Sequence, residues 1–264
     1  MLNLYKAALG PILLLQSWWL RRTALRLPEA SGPRSGIEGI SGPAATTPLR
    51  ILVVGDSSAA GVGVSTQAEA LAQPVAKQLA SRTGRCVAWQ LVAQSGVNTG
   101  EALELLARSQ LDPAHYLITA LGTNDVTSQR RPNQFLRDYA LLADTLRKRT
   151  GAIGLIVTGL PPLRILPAAS HPLRWYLGRY AIRLDRALRN WVDQARMTRY
   201  VSLEWAACPE DMAQDGFHPG PTQYRRWAEL VTDQICTMLE TSGTSVDHKL
   251  PETVGFDSHP ACEQ

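Results

Sequence analysis

What the chain lacks narrows the field first. Its four cysteines (Cys86, Cys208, Cys236, Cys262) are widely separated and form no C-x-x-C pair, which argues against a structural zinc site. An even count permits disulfides without requiring them. No cluster of His, Asp and Glu has metal-ligand spacing, so neither a metal nor another cofactor is expected. Gly55, Gly61 and Gly63 fit neither G-x-G-x-x-G nor G-x-x-x-x-G-K-S/T, and no lysine follows to meet a phosphate. Nucleotide binding is therefore the weaker reading of that loop. No internal repeat is present. The apolar stretch Leu9 to Leu20 is broken by Gln16 and Ser17 and is too short to span a bilayer.

What remains is a chain of 264 residues, 45% hydrophobic and 19% charged, long enough for one catalytic domain with appendages. The net charge of +4 is unevenly spread. Residues 130–199 carry fourteen Arg or Lys against Asp138, Asp144, Asp185 and Asp193. Such a half can attract anionic headgroups, nucleic acid or acidic substrates, or be a solvated arginine-rich helix face. It has no recognised reading module and no interleaved base-stacking aromatics, so no nucleic-acid partner is expected.

Four regions are expected. Residues 1–30 are apolar, then basic: LGPILLLQSWWL runs into Arg21, Arg22 and Arg26. Paired tryptophans beside cations suit a membrane-surface anchor through residues 1–26. Packing on the domain's own surface is the alternative, and a cleaved signal fits poorly, since no A-x-A site follows. Residues 31–48, rich in Gly, Ser, Thr and Pro, read as a linker. Residues 49–241 are the folded domain. Residues 242–264, with His248 and His259, read as a mobile tail. Localisation is membrane-associated if the anchor reading holds, and otherwise cytoplasmic.

From Leu49 the pattern alternates: strand 50–55, helix 66–82, strand 86–93, helix 99–109, strand 115–121, helix 133–149, strand 153–160, helix 172–196, strand 199–203 and helix 221–240. Strands alternating with helices predict an α/β fold, a three-layer α/β/α sandwich around a five-stranded parallel sheet in flavodoxin-like order. The helix at 172–196 has the clearest period: Leu173, Leu177, Tyr180, Leu184, Leu188, Trp191 and Ala195. The segment before it, GLPPLRILPAASHP, should form a rigid loop at the carboxyl edge of the sheet. Leu160, Leu163, Ile165, Leu166 and Trp175 around it suggest an acyl pocket or, equally, core.

The centre of the pattern is RILVVGDSSAAGVG, from Arg50 to Gly63. A buried strand delivering Ser57 to a tight turn is how α/β folds present a nucleophile, although turns favour Gly, Asp and Ser in any case. Three more loops follow strands at the same edge: Gln94 to Thr99 with Gly96, Gly122-Thr123-Asn124-Asp125, and Asp215-Gly216-Phe217-His218-Pro219-Gly220. Such loops converge on one crevice in a doubly wound sheet. Asp215 and His218 are spaced so that a carboxylate can reach the ring's Nδ1 while Nε2 points at a serine. His115 and His171 have no matching acid and serine and read as structural.

Together GDSS at 55–58, Gly96, GTND at 122–125 and DGFHPG at 215–220 resemble, in order and spacing, the four blocks of the SGNH or GDSL-type esterase and lipase superfamily. The one departure is Ser58, where the name-giving motif has leucine. The resemblance implies an SGNH-hydrolase fold and a carboxylic ester hydrolase working through an acyl-enzyme. Ser57 is then the nucleophile, His218 the base and Asp215 its orienting acid. The backbone N–H groups of Ser57 and Gly96 and the Asn124 side chain form the oxyanion hole. Asp56 reads as holding the turn, with Ser58, Asn98, Thr123 and Asp125 as supports. The implied partner is a small-molecule or lipid acyl ester. Carbohydrate O-deacetylation, thioester cleavage and acyl transfer use the same site and stay open. So does a non-catalytic lipid- or glycan-binding module, although binding alone needs no base aligned with a hydroxyl.

Overall fold

The computed structural model describes residues 2–39 and 47–241. Its centre follows from four branched residues. Ile51 to Val54 are all buried, and a strand apolar on both faces is stable only between two layers. That strand, β2 (Leu49–Gly55), is hydrogen-bonded on both sides. Around it lie β3 (Val87–Ala93), β4 (Tyr116–Ala120), β5 (Gly154–Thr158) and β6 (Thr198–Val201), all parallel. A short strand β1 (Ser35–Glu38) pairs antiparallel with β3. Among the described residues the order is β1-β3-β2-β4-β5-β6. The five parallel strands keep the expected flavodoxin-like order, and β1 adds a sixth.

Successive side chains on a strand point to opposite faces, and the two cores sort accordingly. Leu52, Val54, Leu117, Leu155 and Val157 face one cluster; Ile51, Val53, Ile118 and Ile156 face the other. The first cluster is closed by α3 (Thr99–Ala107), α5 (Pro132–Thr150) and α6 (Leu173–Gln194), the second by α2 (Ala72–Thr83) and α7 (Pro221–Thr241). A one-turn helix, α4 (Thr123–Thr127), starts within GTND. On α6, Leu173, Leu177, Tyr180, Leu184 and Leu188 are buried as expected. At its end Val192 takes the buried place rather than Trp191, while Arg179, Arg183, Arg186 and Arg189 face water.

Two boundaries differ from the sequence reading. The helix expected from residue 66 begins at Ala72, because the chain before it pairs back instead: Gln67 N–H donates to Ser31 O at 2.8 Å and its Nε2 to Ala60 O at 3.0 Å. Pro74 then sits in the first turn, where its missing N–H costs nothing. The 31–48 stretch read as a linker supplies β1, and just before it Glu29 and Arg34 are tied to the end of β3. Arg34 Nη1 donates to Ala93 O at 2.6 Å, and Ser95 N–H and Oγ donate to Glu29 Oε1 at 2.8 and 2.7 Å. An edge strand needs only one partner, so Ser and Gly suffice there. Residues 40–46 and the 242–264 stretch with His248, His259 and Cys262 lie outside the described residues.

The apolar N-terminal stretch lies within a long helix, α1 (Leu2–Thr23). Leu13 is buried, Leu9 and Leu20 pack on the core beside it, and Tyr5 meets Trp175 edge-on at 5.1 Å. Gln16 Nε2 donates to His171 O at 2.7 Å and its Oε1 accepts Leu173 N–H at 3.0 Å. One face of α1 is thus packed on the domain. No described helix is long and apolar enough to cross a membrane.

Part of the arginine-rich half is spent on the chain's own carbonyls and acids. Arg147 donates to Arg196 O and Met197 O, Arg149 to Leu106 O and Ser109 O, and Arg130 pairs with Asp125 and Asp138.

Candidate active site

The register aligns Gly55 with Ala93 and Ala120, so the loops after β2, β3 and β4 leave the sheet side by side. Ser57 sits in a tight helical turn, with Ala60 N–H donating to Asp56 O at 2.9 Å and Val62 N–H to Ser57 O at 3.0 Å. The loop carrying residues 212–219 backs directly onto this turn. A Cβ on Gly63 would lie 2.2 Å from Pro219 O, so only glycine allows that approach.

In the 215–218 turn, Asp215 Oδ1 accepts both Phe217 N–H and His218 N–H at 3.0 Å. This local turn, typical of aspartate, aims the other carboxylate oxygen at the ring. Asp215 Oδ2 lies 2.5 Å from His218 Nδ1, and His218 Nε2 lies 2.8 Å from Ser57 Oγ. Burial alone would raise the Asp215 carboxyl. The bonds from the His218 ring and from the two backbone N–H groups outweigh it and hold the group below the usual carboxylate range. Asp215 is therefore ionised wherever the protein is folded at ordinary pH. Structure brings together all three residues singled out for this chemistry, from positions 161 apart along the chain.

Asn124 and Gly96 stand on adjoining loops. Asn124 Nδ2 donates to Val97 O at 3.0 Å and, at a long 3.3 Å, to Asp56 Oδ2, so one amide joins the loops after β2, β3 and β4. Gly96 lies in an exposed turn at φ 86°. A Cβ there would meet no atom within 4 Å; the left-handed backbone, rather than crowding, calls for glycine. Asp56 holds the turn as expected, its Oδ1 accepting Ser58 N–H at 3.0 Å and Ser58 Oγ at 2.6 Å. Burial raises its carboxyl despite these bonds and the nearby His218. Asn98 caps α3, accepting Gly100 N–H at 2.9 Å while Glu101 returns the bond to its backbone.

Asp125 is fully buried beneath the Asn124 loop. Its Oδ2 accepts Thr99 N–H and Oγ1 at 3.0 and 2.8 Å, and Arg130 Nε lies 3.3 Å from Oδ1. Burial, helped by the like charge of Asp56, pushes this carboxyl up to about 6 against the pull of Thr99 and Arg130. A carboxyl raised in the fold binds protons more tightly there than in the unfolded chain. Its stabilising contribution is complete below about pH 4 and is lost as pH rises through about 6. Comparing urea midpoints of the wild type and Asp125→Asn from pH 4 to 7 isolates this group. Wild type should lose about 1–3 kcal/mol relative to the variant across that window. A difference that is flat with pH would show that Asp125 titrates normally.

Two supports were not legible in the sequence. Tyr224, on α7 and fully buried, directs its hydroxyl at Ser58 O and Val62 O, each 2.8 Å away. Glu29 fixes Ser95, next to Gly96. An isolated Tyr in a helix, or a Glu before a Gly-rich stretch, gives no local signal of such long-range bonds. Of the other histidines, His115 is buried with Nδ1 accepting Arg50 N–H at 2.9 Å, and His171 is an exposed neighbour of Gln16. Among the described residues no three His, Cys, Asp or Glu are grouped to hold a metal ion.

A cleft opens beside Ser57 and His218, walled by Leu121, Ile165, Leu166, Leu203, Phe217 and Trp227. Ile165 and Leu166 of the proline-rich loop reach it. Leu160 and Leu163 lie instead in the core, and Trp175 packs beneath α1. The loop is thus divided between cleft and core, with Leu166 buried in the core cluster as well as lining the cleft.

The model of the GDSL-like lipase/acylhydrolase family matches residues 53–226. The GDSL-like esterase Rv1075c of Mycobacterium tuberculosis is 27% identical over 192 residues, 69% of this chain and 60% of the relative. The chain thus spans about 60% of that curated relative's length. Solved structures with the same fold include TesA (24% identity, TM-score 0.56, 72% of this chain and 99% of that one). The lipase Lip_vut3 from a goat rumen metagenome (16%, 0.55, 70% and 96%) is another. A third is a carbohydrate esterase family 3 structure from Talaromyces cellulolyticus (14%, 0.54, 73% and 99%). Because the family match spans most of the folded domain, the chain belongs to the GDSL-like lipase/acylhydrolase family.

Proposed function

We propose that this chain cleaves carboxylic esters through an acyl-enzyme on Ser57. The observation that carries the reading is the His218 ring, bonded at once to Ser57 Oγ at 2.8 Å and Asp215 Oδ2 at 2.5 Å. Ser57 Oγ attacks the ester carbonyl while its proton passes to His218 Nε2. The tetrahedral intermediate collapses as the same proton moves to the departing alkoxide, leaving acyl-Ser57 and an alcohol. Water then attacks, again losing a proton to His218. Collapse releases the acid, and the proton returns to Ser57. Asp215 holds the tautomer and stabilises the imidazolium in both halves.

The oxyanion is met by the N–H groups of Ser57 and Gly96 and by the Asn124 amide. One Asn124 hydrogen is anchored on Val97 O; the other makes only the long contact to Asp56 and is the one an oxyanion would draw. Loss of one such donor costs about 10²–10³ in turnover. Carbohydrate deacetylation, thioester cleavage and acyl transfer would use the same groups. A purely binding role is disfavoured, because it gives no use to an imidazole aligned between carboxylate and hydroxyl.

The cleft bounds the acyl group. Its enclosed part is about 60 Å³, room for roughly four to six water-sized positions at about 10–15 Å³ each, so a short acyl group is held inside and a longer one extends out of the open side. In an acetyl-to-palmitoyl series of p-nitrophenyl esters, kcat/KM should peak at or below about six carbons. A maximum at palmitoyl would overturn the pocket assignment. A fluorophosphonate should modify Ser57 and no other residue, read by peptide mass spectrometry; a label elsewhere, or none, would remove the acyl-enzyme reading.

A further inference from the structure

Helix α1 has two apolar faces, and the fold covers one. Leu9, Leu13 and Leu20 pack on the domain, whereas Leu14, Leu15 and Trp19 are 71%, 65% and 62% exposed. Ile12 and Trp18 are exposed with them. At 100° per residue, Leu14, Leu15, Trp18 and Trp19 fall opposite Leu9, Leu13 and Leu20. A helix apolar all round is stable only when covered on both sides, so the outer face calls for an occupant.

Charge identifies it. Residues 1–28 hold Lys6, Arg21, Arg22 and Arg26 and no acid. Arg21, Arg22 and Arg26 are exposed at the end of the apolar face, and Arg22 lies over the Trp18 ring at 4.3 Å. Two tryptophans on the apolar arc with cations alongside match the boundary between acyl chains and phosphate headgroups. A second copy of the chain fits worse, because a two-fold contact sets each patch against itself and would bring these arginines together with no acid on the helix.

We propose that α1 seats the protein on an anionic lipid surface, lying in the headgroup plane with Leu14, Leu15, Trp18 and Trp19 inserted and the three arginines on phosphates. The helix is sutured to the domain where it matters for access. Gln16 bonds His171 O and Leu173 N–H, at the far end of the loop whose Ile165 and Leu166 wall the cleft. The loop that walls the cleft is thus continuous with the segment that holds α1 to the domain. The docking itself stands apart from the hydrolase reading, since adsorption needs no turnover.

Flotation of the full chain with vesicles tests it. Phosphatidylcholine vesicles containing phosphatidylglycerol should carry the protein upward, and high salt should weaken this. Trp18→Ser with Trp19→Ser should reduce partitioning at least about tenfold. Arg21→Gln, Arg22→Gln and Arg26→Gln combined should reduce it about a hundredfold at low salt, at about fivefold per cation, with little effect on neutral vesicles. Thermal midpoint and turnover of a soluble ester should stay at wild-type values in both, which separates docking from folding and chemistry. No flotation, or variants that float like wild type, would overturn the proposal. So would a lipid-free dimer that the tryptophan variants dissolve, which would give this face to a second copy.

Discussion

Replacing Ser57 with alanine should lower turnover of p-nitrophenyl acetate by about 10⁵–10⁶ while leaving the fold intact. The side chain contributes one hydrogen bond, to His218 Nε2, and a net bond is worth about 1 kcal/mol. For a domain of this size that is a Tm change of about 2–4 °C or less. The turn itself is held independently of the hydroxyl. Asp56 fixes Ser58, and Tyr224 holds Ser58 O and Val62 O. Undiminished turnover would take Ser57 out of the mechanism, and a collapse in Tm would show that the hydroxyl serves the fold instead.

The second large effect is expected at His218. With alanine there, nothing between Ser57 and Asp215 accepts the serine proton, and a hydroxyl without a base is a poor nucleophile. Turnover should fall at least about 10³-fold, about 4 kcal/mol in the barrier, and fluorophosphonate labelling should slow in step. Asp215 keeps its backbone donors at positions 217 and 218, so the loop retains its shape. Because the two residues work as a unit, the Ser57→Ala/His218→Ala double variant should be no slower than Ser57→Ala alone. Losses that multiply would mean separate roles.

Some of the site was legible because its signals are local. Four strand-end loops with small and polar residues mark the carboxyl edge of a parallel sheet, and Asp215 with His218 makes its contact within one turn. Other features depended on partners far along the chain. Asp56 and Asn124 are 68 residues apart, and Tyr224 supports a turn 166 residues away. Residues 31–38 resemble a linker in composition, yet edge pairing with β3 recruits four of them.

Periodicity by itself determined the alternation of strands and helices and so the layered architecture, since burying apolar side chains at periods of 2 and 3.6 leaves few alternatives; the residues of the rim were legible from the strand-end motifs and their resemblance to a known family. Tertiary structure decided what no local pattern encodes. It seated one face of α1 on the domain and left the other exposed, placed β1 on the sheet edge, and sent Leu160 and Leu163 to the core but Ile165 to the cleft, with Leu166 shared between them. Those outcomes depend on which distant surface each residue meets, and short-range propensity carries no information about that encounter.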